Sequence, residues 1–301
     1  MTPGMPFILR LHVLPARWIL VLLGMALLAG CATLDRSGHA DRLAHSAGLA
    51  REQVAAGEFV LTAFSRLTRP DQPLDLYIEG DGPAWVSRTQ PAADPTPRIA
   101  TGLQLAAADP APNVVYLARP CQFTPRARDP NCNVEYWTGK RYAPEVVTAL
   151  NAAIDHYAAR MPGQRLNLVG FSGGGALVVL IAARRGDIAS LRTVAGNLDT
   201  EFVNQLHRVS PMPASLNPVD VAPRVAAIPQ VHFSGADDPV TPPAVAQRFV
   251  SATGGHCAQA RTVPAIAHEG DWGRLWPGLL GIPPACIPAP ADPAARPQAP
   301  P

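Results

Sequence analysis

Leu166-Asn167-Leu168-Val169-Gly170-Phe171-Ser172-Gly173-Gly174-Gly175 is the stretch that decides how this chain folds. Residues 166–171 read as a central strand, and an apolar helical run over residues 176–185 begins as soon as the glycines end. A serine caught between such a strand and such a helix sits at a sharp turn. Its backbone is held in a strained conformation, and its hydroxyl is lifted clear of the sheet. The flanking residues must be glycine, because side chains there would collide with neighbouring backbone. The following helix points its positive dipole end at the same place. Gly170-Phe171-Ser172-Gly173-Gly174 therefore matches Gly-x-Ser-x-Gly in the setting that gives the pattern mechanical meaning, and Ser172 reads as a nucleophile. A phosphate-binding loop would instead end in Gly-Lys-Ser/Thr, which is missing here.

Further strand patterns lie at residues 59–64, 74–79, 114–117, 191–195, 230–234 and 261–263. Helical patterns alternate with them at 99–108, from Pro144 to the Pro162-Gly163 stop, and at 244–251. This alternation predicts an α/β fold with a mostly parallel, doubly wound sheet. Residues 31–57 read as a tether with a short helix, since Leu43, Ala47, Ala50 and Val54 have helical spacing. Residues 58–282 form the main domain. Residues 283–301 hold eight prolines and are expected to form an extended tail.

The ends of the chain carry a second message. Arg10 and Arg17 precede an apolar run over residues 18–29, and Leu28-Ala29-Gly30-Cys31 follows. A basic start, a short apolar stretch and small residues describe a signal peptide over residues 1–30. The run is too short for a bilayer span, which needs about 20 residues. The Leu-Ala-Gly-Cys close resembles the bacterial lipobox, which implies lipidation of Cys31 and anchoring to the cell envelope. Ala32 and Thr33 follow without an acidic residue, which favours the outer membrane, facing the periplasm. Without Arg10 and Arg17 the chain has 23 basic and 23 acidic residues, so nothing in its charge suggests nucleic acid. Cys121, Cys132, Cys257 and Cys286 remain, an even number that reads as two disulfides in an oxidising compartment. Three pairings are open to four cysteines; pairing Cys121 with Cys132 and Cys257 with Cys286 is the one in which each bridge closes one local loop. No Cys-x-x-Cys or His-x-x-x-His spacing supports zinc.

A serine hydroxyl needs a base, and the base needs an orienting acid. Here the chain resembles the α/β-hydrolase family, in which the order is Ser, then Asp or Glu, then His. Gly235-Ala236-Asp237-Asp238-Pro239-Val240-Thr241-Pro242 looks like the family's acid loop, making Asp238 the acid and Asp237 its rival. Two histidines follow. His256 precedes the last strand, whereas His268 comes after it, where the family's catalytic histidine hangs on a loop. The resemblance implies an oxyanion site made by the N–H of Gly173 and a second N–H from Glu79-Gly80-Asp81-Gly82-Pro83. Register points to Asp81 there, with Gly82 as alternative; Pro83 has no N–H. Glu79 replaces the family's histidine, and the Asp81 carboxylate must turn away or pair, with Arg88 a candidate partner. The short segment after residue 195 implies a small cap, which favours soluble or short acyl substrates. The implied activity is hydrolysis of a small ester-like (or amide or thioester) substrate through an acyl-enzyme, with neither metal nor organic cofactor. The alternatives are an acyltransferase or peptidase using the same triad, or a non-catalytic binding or envelope-structural protein on this scaffold.

Overall fold

The computed structural model describes residues 35–287. The signal segment, Cys31 and the tail after Ile287 lie outside the described residues. The elements follow in the order α1 (Arg36–Ser46), β1 (Ala50–Ala56), β2 (Phe59–Leu67), β3 (Leu74–Ile78), α2 (Thr101–Ala107), β4 (Asn113–Leu117), α3 (Pro144–Ala158) and β5 (Leu166–Phe171). Then come α4 (Gly173–Ala182), β6 (Ile188–Val194), α5 (Thr200–His207), β7 (Gln230–Gly235), α6 (Pro243–Thr253), β8 (Ala258–Val263) and α7 (Trp272–Leu280).

The eight strands form one sheet in the order β1-β2-β4-β3-β5-β6-β7-β8. β1 with β2 and β2 with β4 are antiparallel; every other neighbouring pair is parallel. Alternation along the strands divides the apolar side chains between two cores. Leu74, Leu76 and Ile78 of β3 face the layer that contains α3, α4 and α6. Tyr77, between them in sequence, faces α1, α2 and α7 instead. The expected doubly wound sheet is thus present, and the cap between β6 and β7 is small: α5 and a 3-10 helix at Pro218–Val225.

One expectation fails. Residues 50–56 are strand β1, not the end of a helix, and they pair residue by residue with β2 from Ala50↔Ser65 to Ala56↔Phe59. The helical spacing through Ala50 and Val54 was coincidental. Val54 and Ala56 are buried on one side of an edge strand, and Gly57, at φ 61°, makes the two-residue turn. Helices α5 and α7 also escaped the sequence reading. Both cysteine pairings match expectation: Cys121 bonds Cys132, and Cys257 bonds Cys286.

The chain winds away in opposite directions after β3 and after β5, which lie side by side, and α2 and α4 cover opposite faces. A crevice opens at the carboxyl ends of strands at such a switch point. The loop after β3 and the Ser172 turn after β5 both end there. Their closeness depends on glycine. A Cβ on Gly170 would collide with the Gly174 carbonyl, and one on Gly174 with the Ile78 carbonyl. Because these neighbours are backbone, they cannot swing aside. Gly170→Ala should therefore lower stability by about 2 kcal/mol in a denaturant titration; an unchanged midpoint would contradict this packing.

Candidate active site

Ser172 caps the N-terminus of α4 with φ 50° and ψ −117°, a conformation that a residue with a side chain rarely adopts. It is held there from both sides: its N–H donates to the Val194 carbonyl at 2.9 Å, and its carbonyl accepts the N–H groups of Gly175 and Asn197. Such strain costs on the order of 1–3 kcal/mol and persists only where the surroundings enforce it.

His268 lies on the loop after β8. Its ring Nε2 is 3.0 Å from Ser172 Oγ, and its Nδ1 is 2.8 Å from Asp238 Oδ2. The carboxylate requires the proton on Nδ1, which leaves Nε2 as acceptor toward the serine hydroxyl. The carbonyl of His268 takes a hydrogen bond from Trp272 Nε1 at 3.1 Å, so α7, unseen in the sequence, fixes the loop. Phe171 packs against the imidazole with ring centroids 5.5 Å apart.

Asp238 is the acid that meets His268. Its Oδ1 accepts the N–H groups of Val240 at 2.8 Å and Thr241 at 2.9 Å, and the Thr241 hydroxyl lies 3.0 Å from Oδ2. Burial alone would raise this carboxyl, but the bonds from His268, Thr241 and Val240 outweigh it and hold it below the ordinary range. Asp237 is exposed and uses only its backbone here, donating to the Ile266 carbonyl at 3.1 Å. His256 is exposed, and His232, inside β7, is bound to Thr193 and Gln230 and pushed down to about 3 by burial. Neither of these histidines faces Ser172.

The loop after β3 reaches the serine from the other side. A Cβ on Gly80 would stand 3.2 Å from Ser172 Cβ. Gln122 Nε2 donates to the carbonyls of Gly80 at 2.9 Å and Asp81 at 3.2 Å. In a trans peptide the C=O and the next N–H point opposite ways, so Gln122 turns the N–H groups of Asp81 and Gly82 away from itself. Among the described residues, the N–H groups of Asp81, its alternative Gly82 and Gly173 meet no acceptor. Glu79, in place of the expected family histidine, is buried. Its Oε1 accepts the N–H of Gly80 at 2.9 Å and of Gly102 at 3.0 Å, tying this loop to the start of α2. Burial pushes its carboxyl up.

The Asp81 carboxylate does not meet Arg88, which donates to the Arg208 carbonyl at 2.9 Å. It is instead held by Arg119, by Arg141 at 2.8 Å and by the Tyr142 hydroxyl at 2.9 Å. This carboxylate sits against the Cα of Gly173, where any Cβ would strike it. Two guanidinium groups therefore offset the negative charge of Asp81 beside the candidate oxyanion site. Sequence reasoning missed Arg119, Gln122, Arg141 and Tyr142, for which no local motif exists. Thr241 had a signal, since a hydroxyl three residues after an aspartate in a turn is a common capping arrangement. Two clefts of about 600 and 700 Å³ meet at Ser172. Pro97, Ile99 and His268 line the first, and Val203, Arg208 and Met212 the second.

Burial raises the Asp81 carboxyl, but Arg119 and Arg141 more than reverse this and bring it down to about 2, against 3.8 ordinarily. Its stabilising contribution is accordingly complete above pH ~4 and fades as pH falls toward 2. Asp81→Asn should cost about 3 kcal/mol near neutrality. The gap from the parent chain should narrow below pH ~4 in parallel unfolding titrations; a gap that is constant or widens would contradict the assignment.

No protein-family model matches the chain, and no curated protein matches it in sequence. Solved structures do resemble it. The esterase domain of a Rhodothermus marinus protein matches with a TM-score of 0.52 at 15% identity, covering 77% of this chain and 96% of that one. An esterase of Pyrococcus furiosus gives 0.54 at 10% identity over 79% and 90%. A puromycin-hydrolysing peptidase of Mycobacterium tuberculosis gives 0.55 at 16% identity over 77% of this chain and 37% of that one. A similar match is a putative α/β hydrolase from Agrobacterium tumefaciens. Sheet order, serine turn and structural neighbours agree: this chain has the α/β-hydrolase fold.

Proposed function

We propose that this protein is a serine hydrolase that cleaves a carboxylic ester through an acyl-enzyme on Ser172. The observation that carries the reading is the unbroken relay from Ser172 Oγ through His268 to Asp238, at 3.0 and 2.8 Å. Ser172 Oγ attacks the ester carbonyl while His268 Nε2 takes its proton, and Asp238 stabilises the resulting imidazolium. The N–H groups of Gly173 and Asp81 receive the developing oxyanion, and the paired state of the Asp81 carboxylate keeps its charge from opposing it. His268 then passes the proton to the departing alcohol. Water, deprotonated by the same nitrogen, releases the acid and restores the serine. Esterases and peptidases both occur among the structural neighbours, so an ester is chosen here as the carbonyl substrate with the better leaving group, and the small cap favours a short acyl chain. Lipidation at Cys31 would hold the enzyme at the bacterial envelope, with outer-membrane, periplasm-facing placement implied by Ala32 and Thr33.

Ser172→Ala should reduce turnover of p-nitrophenyl butyrate at least about a thousandfold without altering the melting temperature; residual activity near the parent level would refute the role. Asp238→Asn should lower kcat by roughly a hundredfold to ten-thousandfold, whereas Asp237→Asn should leave it within about twofold, because an exposed side chain away from the relay has little to lose. The reverse ranking would exchange the two aspartates. Across p-nitrophenyl esters of increasing chain length kcat/KM should fall; a strong preference for long chains would contradict the short-acyl reading.

A further inference from the structure

Most of the large apolar side chains that the fold leaves exposed gather at one place. Trp85 is 45% exposed, Val86 69% and Ile99 55%; Val209 and Val240 are exposed as well. All five line the two clefts that meet at Ser172. Scattered apolar residues are normal on a protein surface, whereas a contiguous group around an opening marks a contact surface. Arg88, Arg98 and Arg208 line the same clefts, and among the described residues no salt bridge to a carboxylate holds them; Glu269 is the one exposed carboxylate among the lining residues. The opening is therefore ringed by apolar groups with an excess of cations, the chemistry that fits an anionic lipid surface.

The start of the described chain leads to the same rim. Arg36 opens α1, and its guanidinium donates to the Thr96 carbonyl at 2.7 Å and lies 3.6 Å from Asp94. Thr96 runs directly into Pro97, Arg98 and Ile99 of the cleft. Four residues lie between Cys31 and Arg36, so the five Cα steps joining them reach at most about 18 Å when fully extended. Under the lipid-anchored reading, that short reach ties the Arg36 end of the described chain to the membrane surface.

We infer that the opening of the active site docks on the surface of an anionic phospholipid bilayer, with Trp85, Val86 and Ile99 entering the headgroup region and Arg88, Arg98 and Arg208 meeting lipid phosphates. The tether part of this inference rests on the lipid-anchored reading above, while the rim stands on its own residues. Short-acyl esters then reach Ser172 from the membrane side.

Among the described residues Trp85 provides the probe, because Trp137, Trp272 and Trp276 are buried; Trp18 belongs to the expected signal peptide. The full chain, produced in a bacterial envelope, is reconstituted in phosphatidylcholine vesicles with or without phosphatidylglycerol, some of them carrying brominated acyl chains. The quenching that the parent chain shows beyond Trp85→Phe is the Trp85 signal. It should appear with phosphatidylglycerol and fall at least about threefold without it or in high salt. It should also vanish in a Val86→Asp, Ile99→Asp variant that keeps its melting temperature. Absence of Trp85 quenching in the parent chain overturns the inference, as does a dimer that shields Trp85 without lipid, which would assign the rim to a second copy. Hydrolysis of p-nitrophenyl butyrate in the same vesicles separates the two proposals. Turnover without quenching sinks the docking alone, and quenching without turnover sinks the hydrolase reading alone.

Discussion

The close backbone approach between the end of β5 and the start of α4 governs the chemistry of this molecule. Gly170 and Gly174 let two peptide segments come nearer than any side chain would allow, and Ser172 lies between them at a positive φ. The strain is maintained by hydrogen bonds on both sides of the serine and by an almost wholly buried α4 behind it. It does two things at once: the hydroxyl is exposed to the imidazole of His268, and the N–H of Gly173 is left without an acceptor. A nucleophile and an oxyanion donor therefore come from a single turn, fixed before any substrate arrives.

Charges are arranged so that this turn can work. Asp238 serves as an ionised partner for the imidazole because backbone N–H groups and Thr241 stabilise its carboxylate despite burial. Asp81 presents the harder case, a carboxylate next to the place where negative charge develops. Two arginines and a tyrosine hydroxyl hold it against the Cα of Gly173, so a local liability becomes a brace between the loop after β3, the segment around Arg119 and the start of α3. Gln122, next to the Cys121–Cys132 bridge, fixes the peptide planes of that loop. The disulfide thus belongs to the support of the site as well as to the fold.

The features readable in the sequence are those with local causes. The strand–serine–helix turn follows from steric rules that act within ten residues, and Asp238 and His268 follow from chain order once the fold is suspected. Asp237 and Asp238 could not be separated by register alone; what separates them is that one side chain turns inward and the other out, a property of the folded loop. Strand β1 is hard to read because six of its seven positions are polar or alanine and carry little alternation, and an accidental four-residue spacing outweighs the Gly57 turn signal. Arg119, Arg141 and Tyr142 come together around Asp81 from separate positions in the chain, a tertiary coincidence with no motif. Arg88 was nearer in sequence and lost to partners nearer in space.

The central claim, that Ser172 is an activated nucleophile and not merely a strained serine, is tested most directly by covalent capture. A fluorophosphonate reacts with a serine that has a working base, so mass spectrometry of the digested adduct should place the label on the peptide containing Ser172. The label should disappear in His268→Ala. A label on another residue, or one that persists at full rate in His268→Ala, would contradict the account.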